Sequence, residues 1–288
     1  MRRATLSLVS VVVVALVAMA AGATTSPPRR PLIVTSQDHS LAEAGDCQTF
    51  HTRTFTTLPS TATAEETRDF QLVGNRHLKV TSGNEGGVSI QGWNRPYAHL
   101  NVCKSAVALT DAQARKALAG ITVLVGGNEI VARGPELSDT QTWWVHMILS
   151  VPRTSRIDVT SANGGISIRN MSGRVSARAT NGGISIAGCE GDHYLETKNG
   201  GISIDKVSGR VSAVTEGGPI SLKLRDLAVP PIEAITDAAG AIHCNLQGCL
   251  DGVGNWAENR KRLRLGGDSA PSIRLTSFSA DIMIEQVR

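Results

Sequence analysis

Aromatic residues and net charge are both scarce in this sequence. Phe, Trp and Tyr make up 3% of the 288 residues, and the formal net charge is +4. Proteins bind single-stranded nucleic acid by stacking bases on aromatic rings, and they bind duplexes through a strongly basic patch. The composition therefore argues against a nucleic-acid partner.

The common motifs of catalysis and metal binding are also missing. The sequence contains no Cys-x-x-Cys, no His-Glu-x-x-His, no P-loop and no Gly-x-Ser-x-Gly. Its glycine runs lack the regularly placed aspartates of calcium-binding repeats. We therefore predict that the protein is not an enzyme and has no catalytic residue, cofactor or metal site.

One long apolar run, from Leu6 to Ala21, lies near the amino terminus. Arg2 and Arg3 precede it, and small residues continue to Ala23. This is the layout of a secretory signal. We predict a signal peptide over 1–23, cleaved near Ala23, and export to the periplasm, cell surface or medium. An uncleaved membrane anchor is the alternative, although the run is shorter than the roughly 20 residues that span a bilayer.

The five cysteines are an odd number, so at least one stays unpaired in an oxidising compartment. A bond between Cys244 and Cys249 is possible, because they lie five residues apart. Cys47 and Cys103 are a second possible pair. Sequence alone does not determine the pairing.

A short motif, Asn-Gly-Gly-Ile-Ser-Ile, occurs three times at a spacing of 18 residues. The copies start at Asn163, Asn181 and Asn199, a weaker copy covers 216–222, and another lies upstream at 86–90. Apolar and polar residues alternate after each glycine pair, as in a strand with one buried face. Asn-Gly-Gly supplies residues that tolerate positive φ where the chain turns.

One 18-residue unit cannot bury its apolar side chains alone, so the copies are expected to stack. We predict an all-β fold: a β-solenoid, similar to a β-helix, of two-strand repeats of about 18 residues. Isoleucine would stack on isoleucine, and the three asparagines could form an amide ladder. One short helix is also predicted, capped at 110–111, continuing through 112–119 and ending at Gly120.

The predicted domain boundaries follow this periodicity. Residues 24–69 are rich in Pro, Thr and Ser without a period, which predicts a linker or mobile arm. Residues 70–288 form the predicted repeat domain, most regular at 163–224. We expect distortions at 192–194 and 225–241, and a terminal coil that includes Ile273, Leu275, Ile282 and Ile284.

The order of these segments carries a family resemblance. The strand Gly-Gly-Val-Ser-Ile-Gln-Gly-Trp at 86–93 is followed by a short helix, a strand that ends at Pro152, and the Asn-Gly-Gly-Ile-Ser-Ile copies. Over roughly residues 70–288 the chain resembles the bacterial β-strand-repeat proteins grouped as putative adhesins. The resemblance implies an exported β-solenoid, and it supplies no catalytic residues.

Two repeat positions carry side chains with reactive chemistry. Cys189 takes the position of Met171 and Val207, which favours a buried thiol over a reactive one. His193 takes the inward position of Val175, next to Asp192. A buried base is one interpretation of His193, and we favour a tolerated polar residue, because neighbours on a strand point to opposite faces.

The candidate binding site is an outward basic row formed by Arg174, Arg178 and Arg210. Such a row could bind an acidic polymer, although exposed charges also simply keep strands from aggregating. We predict a non-enzymatic, exported structural or adhesion-like protein that interacts with surfaces. Its partner would be a polysaccharide or protein of the cell envelope.

Two alternatives stay open. A polysaccharide-active enzyme on a β-helical scaffold would cluster acids across adjacent repeats, but the positions equivalent to Asp205 hold Ala187 and Arg169. An accessory of envelope signalling is a third possibility that the sequence neither supports nor excludes.

Overall fold

The structure is a computed structural model. It describes residues 47, 58–74, 76–83, 85–136, 138–225, 229–237, 239–246, 249, 253–255, 260–266 and 270–287. The predicted signal peptide, and residues 24–57 of the predicted linker apart from Cys47, lie outside the described residues. Among the residues described, no helix has the length and apolar character needed to cross a membrane.

Strands dominate the described residues, and one helix, α1, spans Asp111–Ala119. The strands, in chain order, are β1 Ser60–Phe70, β2 His77–Thr81, β3 Val88–Trp93, β4 Ala98–Ala108, β5 Thr122–Gly126, β6 Glu129–Arg133, β7 Gln141–Pro152, β8 Arg156–Ser161, β9 Ile166–Arg169, β10 Val175–Ala179, β11 Ile184–Ala187, β12 Glu190–Thr197, β13 Ile202–Asp205, β14 Ser208–Thr215, β15 Ile220–Leu224, β16 Ile232–Asp237, β17 Ile242–Cys244, β18 Val253–Asn255, β19 Arg260–Leu265, β20 Ile273–Ser277 and β21 Ile282–Gln286.

The strands form two large sheets. Sheet A has ten strands in the order β1-β4-β7-β3-β9-β11-β13-β15-β21-β17. Sheet B has eleven, in the order β18-β19-β16-β20-β14-β12-β10-β8-β2-β6-β5. The inward side chains of both sheets belong to one continuous hydrophobic cluster.

The predicted solenoid is wrong: the chain forms two mixed sheets rather than a stack of two-strand units. At one end of sheet A, β1, β4 and β7 pair antiparallel, and β5 and β6 form an antiparallel hairpin in sheet B. At the opposite end of sheet B from that hairpin, β19 runs antiparallel to β16. The carboxyl-terminal strands β20 and β21 pair with β14 and β15, inside their sheets, so they are not a terminal coil.

The three regular copies keep the predicted register inside these sheets. Ile184 pairs with Ile166 on one side and with Ile202 on the other, all in parallel strands. The amide ladder is present, because Asn181 Nδ2 donates to Asn163 Oδ1 at 2.6 Å and Asn199 Nδ2 donates to Asn181 Oδ1 at 2.8 Å. The predicted distortion at 192–194 is absent, since β12 pairs in register with both β10 and β14.

The glycines of Asn-Gly-Gly serve close packing rather than the predicted positive φ. A Cβ on Gly182 would lie 2.3 Å from the carbonyl oxygen of Gly164, and one on Gly200 equally close to that of Gly182. Positive φ values occur instead at another set of equivalent repeat positions, Asn170, Gly188 and Lys206, which are again 18 residues apart. Each copy therefore needs a glycine where its backbone touches the previous copy.

The amino-terminal end differs from the predicted linker. β1, Ser60–Phe70, pairs along its whole length with β4, so residues 60–69 are a strand rather than an arm. Its polar composition suits an edge strand. The helix is as predicted: Thr110 accepts a hydrogen bond from the Gln113 amide, and Gly120 ends the helix.

Candidate functional site

The three predicted arginines lie on the outward face of sheet B, around β12. Arg174 directly precedes β10, Arg178 lies within β10, and Arg210 lies in β14. These strands flank β12 on its two sides in parallel register. The sheet therefore brings the three side chains together around one strand.

Tyr194 of β12 is the centre of this face. Tyr194 is 53% exposed, which is high for a residue with a large ring. Its partners on the flanking strands are Ser176 and Ser212, both too small to cover the ring. Three of its four diagonal neighbours are the predicted arginines, at spacings of about 7–8 Å.

Two of the arginines are held by carboxylates of β12. Arg210 donates to both oxygens of Asp192, at 3.0 and 3.2 Å. Arg178 donates from Nε to Glu196 at 3.2 Å and from Nη1 to Ser176 Oγ at 3.2 Å. The predicted basic row is thus a mixed field of guanidinium and carboxylate groups. We call Tyr194, Arg174, Arg178, Arg210, Asp192 and Glu196 the Tyr194 face.

The electrostatics of this face follow from the pairing. The hydrogen bonds from Arg210 lower the pKa of Asp192, with smaller contributions from Arg174 and His193. Asp192 in turn raises the pKa of Arg210. Within the described residues, Arg174 makes no side-chain hydrogen bond, so its guanidinium group remains free for a ligand.

The carboxylates do not form a glycosidase pair. Asp192 and Glu196 are four residues apart along one strand, roughly 13 Å at the usual rise. Acid–base pairs in glycoside hydrolases lie about 5–9.5 Å apart, and the acid needs a raised pKa. Arg210 lowers that of Asp192 instead. This geometry does not favour the alternative of a polysaccharide-active enzyme at this face.

The two reactive positions are buried. His193 faces inward opposite Val175 and Val211, as predicted, and neither ring nitrogen makes a hydrogen bond within the described residues. Burial lowers the pKa of His193, partly opposed by Asp192 and the Cys189 backbone. Cys189 is a buried free thiol whose pKa burial raises, which disfavours the reactive thiolate form.

Sequence reasoning did not identify Tyr194 as a site residue. The repeat register was enough to find it, because His193 faces inward and its neighbour must then face outward. Serines at the equivalent positions of the flanking copies were the second available signal.

No family model and no curated protein sequence matches the chain. Among solved structures, a putative cell adhesion protein from Clostridium sporogenes is similar, with 14% identity and a TM-score of 0.43, over 78% of this chain and 100% of that one. A putative adhesin from Bacteroides fragilis has 13% identity and a TM-score of 0.34, over 80% and 100%. A putative adhesin from Parabacteroides distasonis has 7% identity and a TM-score of 0.29, over 78% and 97%. TM-scores this low support no argument about function.

Proposed function

We propose that this chain is an exported, non-enzymatic surface protein that binds an acidic polysaccharide of the cell envelope through the Tyr194 face. The exposed ring of Tyr194, framed by Arg174, Arg178 and Arg210, is the observation that supports the proposal.

Each part of the face suits a sugar polymer. An exposed aromatic ring offers an apolar plane with a polar hydroxyl at its edge, on which a sugar ring can lie. Arginine presents planar donors that match a carboxylate at two points. Because Arg178 and Arg210 are held by Glu196 and Asp192, less side-chain entropy is lost when they bind a ligand.

The test is binding of the purified chain to an array of acidic and neutral glycans and to isolated envelope polysaccharide. Exposed charge contacts contribute on the order of 1 kcal/mol or less each. The triple replacement of Arg174, Arg178 and Arg210 by Gln should therefore weaken binding about tenfold or more. It should also reduce the salt dependence, because exposed charges are screened by ions.

Two controls separate binding from folding. Lys223→Gln removes a positive charge from the outward face of sheet A and should leave binding unchanged. The melting temperature of the triple variant should stay near that of the wild type, since all three side chains are exposed. Wild-type protein that binds no envelope fraction, or a triple variant that binds fully, would contradict the proposal.

A further inference from the structure

A groove lies at the opposite end of the molecule from β17 and β18, where sheet A extends past sheet B. β1 is the last strand of sheet A, and its residues Glu66 and Arg68 pair with the core residues Val102 and Leu100 of β4. These side chains therefore point inward. Arg68 is nevertheless exposed, because sheet B reaches this part of β1 only at its edge, where the Arg68 side chain donates to Val123 O of β5.

The walls of the groove come from three elements. The carboxyl-terminal half of α1 and the edge strand β5, with the residue before it, form a mainly apolar wall, and the inward face of β1 adds the charged side chains of Glu66 and Arg68. The space measures about 830 Å³, within the range of small-molecule sites. Its larger apolar lining residues are Leu118, Ile121, Val123, Leu124 and Val125.

A buried lysine lies in the floor of this groove. Lys104 is 6% exposed and takes an inward position between the core residues Val102 and Ala106. Its Nζ contacts Glu66 Oε1 and donates to the carbonyl oxygen of Ile121 at 3.1 Å. A charged group in a core position is costly unless it is paired.

The charges around the groove do not balance. Glu66 is shared by Lys104 and by Arg68, whose Nη2 donates to its other oxygen at 2.9 Å. Arg115 of α1 also lines the groove and has no ion pair within the part of the chain that the structure describes. Three cations therefore surround one carboxylate. Desolvation alone would raise the pKa of Glu66, but the contacts with Lys104 and Arg68 lower it overall, so the carboxylate is ionised.

We propose that this groove binds an anionic amphiphile, a molecule with one acyl chain and a carboxylate or phosphate head group. The chain would lie against the apolar wall formed by α1 and β5, and the head group would complete the charge balance beside Arg115 and Lys104. A free fatty acid and a lysophospholipid share this chemistry.

An added β-strand is the competing occupant, because β5 is the edge strand of sheet B among the described residues. Two cationic side chains already hydrogen-bond along that edge: Arg68 donates to Val123 O at 3.1 Å, and Lys104 to Ile121 O. A strand that paired with β5 would displace both. The edge is therefore protected in the way that sheet proteins block strand addition.

The experiment measures binding of oleate, 1-oleoyl lysophosphatidate and uncharged oleyl alcohol to the full chain by calorimetry and native mass spectrometry. Oleyl alcohol should bind at least tenfold more weakly than the tighter anion. Arg115→Gln should weaken anion binding about tenfold and leave alcohol binding unchanged. Arg115 is exposed, so this variant should fold normally. The tighter of the two anions identifies the source of the ligand.

Leu118→Trp fills the groove and should abolish binding of all three probes, with circular dichroism as the check on folding. Lys223→Gln, on the outward face of sheet A, is the matched control and should bind oleate as the wild type does. No binding of either anion, equal binding of oleate and oleyl alcohol, or full anion binding by Arg115→Gln would overturn the proposal. A dimer that forms through β5 and persists in excess oleate would assign the groove to a strand instead.

Discussion

At the scale of single residues, one buried side chain lowers the stability of the fold. His193 pairs with Val175 and Val211 on the two neighbouring strands. Both of its ring nitrogens are buried without a hydrogen bond in the described structure. Leaving a buried polar group unpaired costs about 1–3 kcal/mol. Within the described residues, no hydrogen bond orients either ring nitrogen as a catalytic base would require, which favours the interpretation of His193 as a tolerated polar residue.

Replacing His193 by Val should therefore stabilise the protein. The expected gain is about 1–3 kcal/mol, or roughly 2–4 °C in melting temperature for each kcal/mol. Differential scanning calorimetry at neutral pH measures it. Tyr194→Ser, the outward neighbour, serves as the control and should stay within about 0.5 kcal/mol of the wild type. A lower melting temperature for His193→Val would mean that the ring has a partner.

A second histidine, His146, should make the stability of the protein depend on pH. Burial lowers the pKa of His146 to about 4, and its Nε2 lies 3.1 Å from Ser89 Oγ. The unfolded chain takes up this proton near pH 6.5 and the folded chain only near pH 4, so stability is full above about 6.5 and falls as the pH drops toward 4. The loss from this residue is at most about 3 kcal/mol.

Urea unfolding at pH 7, 5.5 and 4.5 tests this prediction. His146→Gln keeps a polar group near Ser89 and cannot take up a proton, so the variant should lose less stability on acidification than the wild type. His243 is largely exposed, and His243→Gln should show the wild-type slope. Parallel slopes for wild type and His146→Gln would refute the assignment.

At the scale of elements, the predictable parts are those with local signals. The capping residues of α1 and the alternation in the Asn-Gly-Gly copies gave the right helix and strands. β1 was missed because an edge strand buries little, and its Thr, Ala and charged residues resemble a polar linker. The outward placement of the three arginines was predictable from alternation, and their role in binding stays a prediction. Their pairing with Asp192 and Glu196 was not predictable, because it depends on register across neighbouring strands.

Glycine packing between copies gives a sharp prediction at this scale. In Gly182→Ala, the new methyl group would lie 2.3 Å from the Gly164 carbonyl oxygen, and because the backbone fixes the position of a Cβ, only a backbone shift could relieve the clash. We expect a loss of about 1–3 kcal/mol or more in the free energy of unfolding, as for other overpacked sites. Chemical denaturation measures it.

Gly126→Ala is the matched control. A Cβ at Gly126 meets no atom within 4 Å, and its φ is not positive. This variant should unfold within about 0.5 kcal/mol of the wild type. Equal losses for the two variants would mean that the copies do not pack in the register described.

At the scale of the molecule, the order of the strands in the two sheets could not be predicted from the 18-residue periodicity. Repeats of 18 residues predict that neighbouring copies pair, and they do in the middle of both sheets. Periodicity does not predict that β20 and β21 insert next to β14 and β15, ahead of β16 and β17. Such pairing depends on contacts between residues far apart in the sequence, where no local signal exists.

Two disulfides indicate the kind of compartment in which the molecule resides. Cys47 bonds to Cys103, and Cys244 bonds to Cys249, which leaves Cys189 as the free cysteine. The first bond closes a loop between residues 56 apart in sequence, and a native disulfide of this kind contributes about 2–5 kcal/mol. Disulfides persist in oxidising compartments and are rare in the cytosol, so a chain that holds two of them fits the export proposed above.

The chain recovered from its native host should therefore carry one reactive thiol when it is denatured without a reducing agent. Alkylation followed by mass spectrometry should find the label on Cys189, and the mature amino terminus should lie at or near Thr24. The double variant Cys47→Ser with Cys103→Ser should melt at a lower temperature, whereas Cys189→Ser removes no disulfide and should change the melting temperature far less. Five labelled cysteines in a cytoplasmic chain that still begins with Met1 would rule out both the disulfides and the export.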